Sequence, residues 1–129
     1  IYDIVLGVNL EVIKAMKPGV PYRSLNELTK KILSDNLKKL KLIKDDSELT
    51  RYYFHSVTHY LGLDTHDVGS RDTELKPGMV LTVEPGLYIK DEGIGVRIED
   101  DVLITKDGCE VLSKNTIKTT EEIENFMSK

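Results

Sequence analysis

Apolar residues recur near helical spacing over residues 2–17, at Ile4, Val5, Val8, Val12, Ile13 and Met16, and Pro18-Gly19 then stops the run. The pattern predicts an amphipathic helix. A second helix is predicted from Ser24, whose hydroxyl can cap it while Glu27, three residues on, reaches back in a capping box. Leu25, Leu28, Ile32 and Leu33 follow as its buried stripe. Residues 36–47 are rich in Lys and Asp and read as a solvated helix end and loop. After Pro77-Gly78 the texture changes to β-branched and short apolar runs over 79–83, 94–98 and 101–105. Turn signals stand at Asp91-Glu92-Gly93 and Lys106-Asp107-Gly108, so these runs predict antiparallel strands. A last helix is predicted from Thr119 or Thr120 to about Met127, with Glu121 and Glu122 favourably placed near its positive end. Helices first and strands later predict an α+β fold, and the chain has no internal repeat.

A length of 129 residues fits one domain or part of one. The chain opens on Ile1 already inside a helical pattern, and is expected to be a fragment. The 18 basic and 22 acidic residues give a net charge of −4 without a cationic face, which argues against a nucleic-acid partner. No apolar run is long enough to span a bilayer, so no membrane partner is expected. The single cysteine, Cys109, cannot form an internal disulfide, and a cytoplasmic location is expected.

All three histidines, His55, His59 and His66, fall within twelve positions. Imidazole serves as metal ligand and as proton carrier, so one cluster can supply both roles; a polar loop with locally bonded histidines is the plainer alternative. Two glutamates sit inside apolar runs, Glu84 before Pro85-Gly86 and Glu99 after Ile98. A buried carboxylate is costly unless a cation or metal compensates it. Arg97, two positions from Glu99 on the same strand face, offers an ordinary ion pair instead. Together His59, Glu84 and Glu99 supply one nitrogen and two carboxylates, a set suited to Mn first, and to Co, Fe or Zn. A two-metal centre needs more bridging carboxylates than these. Asp64, Asp67, Asp72 and Asp101 have no spacing that singles them out and read as turn or surface residues.

The His55–Asp67 segment, the block 75–89 around Glu84-Pro85-Gly86 and the block 93–103 around Arg97-Ile98-Glu99 resemble, in order, the creatinase and Xaa-Pro aminopeptidase group of "pita-bread" metallopeptidases, which includes prolidase. The resemblance runs over almost the whole chain and implies that residues 1–129 are the C-terminal portion of the catalytic domain, helices packed on a curved antiparallel sheet. It implies two divalent metals, with His59, Glu84 and Glu99 as ligands and Glu99 bridging. The remaining ligands, two aspartates, and a separate amino-terminal domain would lie upstream. His55 and His66 resemble the active-site histidines that contact substrate, and Arg97 an arginine beside the bridging carboxylate. Glu84 or a neighbour would handle the proton as water attacks the carbonyl before proline.

The activity implied is that of an Xaa-Pro aminopeptidase, acting on a peptide with proline in second position. Prolidase is the near alternative, a non-catalytic relative that binds peptides, histones or RNA is another, and metal-free creatinase-like hydrolysis is a third. The isolated fragment is expected to be inactive and prone to self-association, and its parent to be a homodimer. Where the family places Gly or another small residue between its histidines, this chain has Ser56-Val57-Thr58.

Overall fold

The computed structural model describes residues 1–128. Helix α1 spans Tyr2–Ala15 and buries Val5, Val8 and Val12, one stripe at helical spacing. Met16 leaves the helix in an extended conformation, and Gly19 takes a φ of 86° in the turn that follows. Helix α2 spans Tyr22–Lys39 and buries Leu25, Leu33 and Leu37 against α1.

The capping box expected at Ser24 is not formed, and α2 starts two residues earlier. Tyr22 N–H donates to the Thr73 carbonyl at 2.9 Å, and Ser24 Oγ donates to the Pro21 carbonyl at 2.6 Å. A tertiary carbonyl thus does at the helix start what a side-chain cap does in an isolated helix. The region 36–47 is a helix end and a largely exposed loop, as its composition suggests. α2 runs through Lys39, Ile43 is buried, and Asp46 accepts hydrogen bonds from Ser34 and Lys38. A 3-10 turn over Asp46–Arg51 then sends Leu49 into the core.

The strands are β1 (Val80–Val83), β2 (Gly86–Ile89), β3 (Ile94–Arg97), β4 (Asp100–Ile104) and β5 (Cys109–Val111). β2 and β5 were not anticipated; each is short, and β2 opens on a glycine that weakens its strand pattern. β1 pairs antiparallel with β4, β4 with β5, and β2 with β3. Both main pairs keep one register, Val83 facing Asp100 and Gly86 facing Arg97, so residues 80–104 form one long hairpin interrupted in its middle. Pro85 sits at the interruption and has no N–H to return to the ladder, although its carbonyl still accepts from Ile98 N–H at 3.3 Å. Gly93, at a φ of 64°, closes the hairpin tip where the turn was expected.

Residues 57–61 run antiparallel along the other side of β1, with Glu84 N–H on the Val57 carbonyl at 2.8 Å and Thr82 N–H on the His59 carbonyl at 3.0 Å. Helix α3 spans Thr120–Met127 and carries a capping box between Thr119 and Glu122. It is tied to the start of α1 by Tyr2 Oη on the Lys118 carbonyl and Thr120 Oγ1 on Asp3. The architecture is α+β, and no helix among the described residues is long and apolar enough to cross a membrane.

Candidate metal centre

The hairpin interruption places the chemistry. Extending the common register across it sets Glu84 opposite Glu99, and residues opposite one another in an antiparallel pair project to the same face. On the other side of β1, His59 lies opposite Thr82, which makes it the diagonal neighbour of Glu84 on that face. One ligand atom from each of His59, Glu84 and Glu99 can be chosen so that all lie within 4.8 Å of one another.

The His59 ring is fixed through its other nitrogen. Nδ1 stands 2.9 Å from the Tyr60 carbonyl, which can only accept, so Nδ1 carries a hydrogen and Nε2 is the nitrogen turned toward Glu84. Nε2 faces Glu84 Oε1 at 3.2 Å, with both side chains 14% exposed. For a neutral ring this contact is repulsive, and a proton or a metal ion between the two atoms relieves it; two glutamates facing each other across strands likewise call for a compensating cation. Arg97 compensates weakly: its Nε is 3.9 Å from Glu84 Oε2 and its side chain is 53% exposed. Its ion pair is therefore with Glu84 and not with Glu99. Arg97 faces Gly86 in the register, and Glu84 is its diagonal neighbour. The donor set fits a divalent cation, one imidazole nitrogen with two carboxylates.

His66 comes from the loop after Leu61 and is exposed, with its ring edge-on to His59 at a centroid distance of 4.4 Å. His55 lines the same open cleft, of about 540 Å3. Its Nδ1 donates to the Ser56 carbonyl at 2.8 Å, and its Nε2 accepts from Tyr88 Oη at 2.9 Å. Tyr88 was not singled out from the sequence, yet strand alternation puts it on the face of Glu84 and Gly86. Phe54 stacks on it at 4.8 Å, giving the cleft one aromatic wall. Arg71 also lines the cleft, and no sequence signal marked it. The phenol of the neighbouring Tyr53 is pushed up from its ordinary value, first by burial and then by the Glu84 carboxylate. Thr58, in the stretch that departs from the family pattern, is buried, and its hydroxyl has no partner among the described residues. Of the aspartates set aside, Asp72 pairs with Arg23 at 2.5 Å, and Asp67 accepts from backbone N–H groups of its own loop.

The family model described as metallopeptidase family M24 matches residues 1–106. The chain is 41% identical over 138 aligned positions to the mitochondrial intermediate cleaving peptidase 55 of Arabidopsis thaliana, covering 99% of this chain and 28% of that protein. It is also 41% identical over 146 positions to the Xaa-Pro aminopeptidase of Escherichia coli K12, covering 98% of this chain and 33% of that protein. Its fold is similar to the structure of aminopeptidase P from E. coli with the inhibitor Pro-Leu, at a TM-score of 0.89 and 41% identity, over 99% of this chain and 34% of that one. The chain thus spans about a third of the length of these relatives. The α+β unit matches the C-terminal part of aminopeptidase P structures. With the M24 model matched over most of its length, the chain belongs to metallopeptidase family M24.

Proposed function

We propose that the chain is the C-terminal portion of the catalytic domain of an Xaa-Pro aminopeptidase, which hydrolyses the bond between an N-terminal residue and a following proline. The observation that carries the reading is His59 Nε2 held 3.2 Å from Glu84 Oε1, with Glu99 converging on the same point. His59, Glu84 and Glu99 would hold divalent metal, Mn first, and two upstream aspartates would complete a pair. When bound, the metal lowers the pKa of water and polarises the substrate carbonyl.

The chain's own residues supply the rest. The Tyr60 carbonyl orients His59. The Ser56 carbonyl and Tyr88 Oη hold His55 in one orientation, so that its ring presents a fixed edge to the cleft. His66 sits across His59 on an exposed loop and meets the substrate from the opposite side. Glu84, 14% exposed, carries the proton, and Arg97 offsets part of its charge. Phe54 and Tyr88, their rings tilted by 30°, form an aromatic wall of the kind against which a pyrrolidine ring packs.

The test is release of the first residue by the protein completed with its upstream segment, supplied with Mn2+. Cleavage of an Xaa-Pro-Xaa tripeptide supports the reading, and cleavage of the Xaa-Pro dipeptide alone makes the protein a prolidase. A metal-replete protein that cleaves neither is a binding module.

A further inference from the structure

Behind the hairpin interruption, on the face away from His59, lies a cluster of buried polar groups. Asp100, 2% exposed, directly follows Glu99 and stands opposite Val83, which directly precedes Glu84. Its carboxylate accepts a hydrogen bond from Ser113 Oγ at 2.6 Å and an ion pair from Lys118 Nζ. Lys118 Nζ also donates to Asn9 Oδ1 at 3.3 Å, and Asn9 Nδ2 donates to the Val83 carbonyl at 3.1 Å. Asn9 is fully buried on α1. One ammonium therefore ties together the residue beside each glutamate, one through its side chain and the other through its main chain. It does so where Pro85 leaves the ladder short of a hydrogen bond. The Lys118 main chain is itself held, its carbonyl accepting from Tyr2 Oη at 2.9 Å and α3 capped immediately after it.

We infer that Lys118 is a positioning residue: through Asp100 and Asn9 it fixes the spacing of Glu84 and Glu99 and so sets the affinity of the metal site. Two carboxylates brought face to face relax apart unless the backbone beneath them is restrained, and the clasp supplies that restraint. The inference rests on the metal reading above. A clasp that served stability alone would lower the melting temperature and leave metal affinity in the folded protein untouched.

The experiment is Mn2+ titration, followed by the paramagnetic resonance of free Mn2+, in the completed protein and in Lys118→Met, Lys118→Arg and Ser113→Ala. Lys118→Met keeps the chain length without the charge, and is expected to bind Mn2+ about 10–100-fold more weakly. Lys118→Arg restores affinity to within about threefold of wild type, and Ser113→Ala weakens binding about threefold or more. In Lys118→Met kcat falls while KM for the tripeptide holds, because the substrate wall is untouched. A folded Lys118→Met that binds Mn2+ as tightly as wild type overturns the inference and leaves the metal reading standing. If Lys118→Met does not fold, Ser113→Ala decides: wild-type affinity in that variant overturns the inference. A wild-type protein that binds no Mn2+ overturns both.

Discussion

Gly86→Ala places a methyl group in the most crowded part of the cleft. A Cβ at this position would lie 2.7 Å from Tyr88 Oη, and 3.0 Å from both His55 Nε2 and Tyr88 Cζ. Ordinary contact begins several tenths of an ångström further out, so the tyrosine must swing away and break its 2.9 Å hydrogen bond to His55. Losing that bond costs about 1 kcal/mol, and forcing a methyl into a packed site costs about 1–3 kcal/mol. If about 1.4 kcal/mol of this falls on the orientation of His55, kcat/KM drops roughly tenfold. The assay pairs urea unfolding with first-residue release from an Xaa-Pro-Xaa peptide in Gly86→Ala, Tyr88→Phe and the double variant. Tyr88→Phe removes the closest clash, so the double variant should be less impaired than the two singles added together, by about 1 kcal/mol. Wild-type stability and kinetics in Gly86→Ala, or strict additivity in the double variant, would refute the packing described for this wall.

Three further outcomes are expected. The Asp46 carboxyl is held below its ordinary value, chiefly by the hydrogen bond from Lys38 and then by that from Ser34. Its contribution is therefore present above the ordinary carboxylate range and lost as pH falls through the lowered value, so the gap in urea midpoint between wild type and Asp46→Asn should narrow as pH falls from neutral to below the ordinary carboxylate range. A gap of the same size at both ends would contradict the pairing. Thr119→Ala removes the capping box of α3 and should cost about 1 kcal/mol in urea unfolding. Leu81→Ala, at a fully buried position on β1, should cost about 2–5 kcal/mol; a loss under about 1 kcal/mol would mean that β1 does not form the centre of the core.

Which features were legible in the sequence follows from where their determinants lie. α1 and α3 could be read because each carries a local signal, an apolar stripe in one and Thr119 with Glu122 in the other. The start of α2 could not, because its first N–H is satisfied by Thr73, about fifty positions away. β5 is three residues long, and β2 begins with Gly86, so neither carries enough alternation to stand out. Glu84 and Glu99 stood out as charges within apolar runs, but their convergence depends on a register that continues across Pro85, which pattern alone does not reveal. Arg97 lies on its expected strand, and its 3.9 Å contact with Glu84, a diagonal neighbour across the strand pair, could be read only once the register was known. The Asn9–Lys118 contact joins residues 109 positions apart, and no local rule anticipates it.

The central claim is that His59, Glu84 and Glu99 hold catalytic metal. Its most direct test is the number of Mn2+ ions bound by the completed protein and by its His59→Ala, Glu84→Gln and Glu99→Ala variants, with folding checked by circular dichroism. Saturable binding is expected in the wild type, with loss of at least one ion in each folded variant. Binding in all three variants equal to that of the wild type would contradict it.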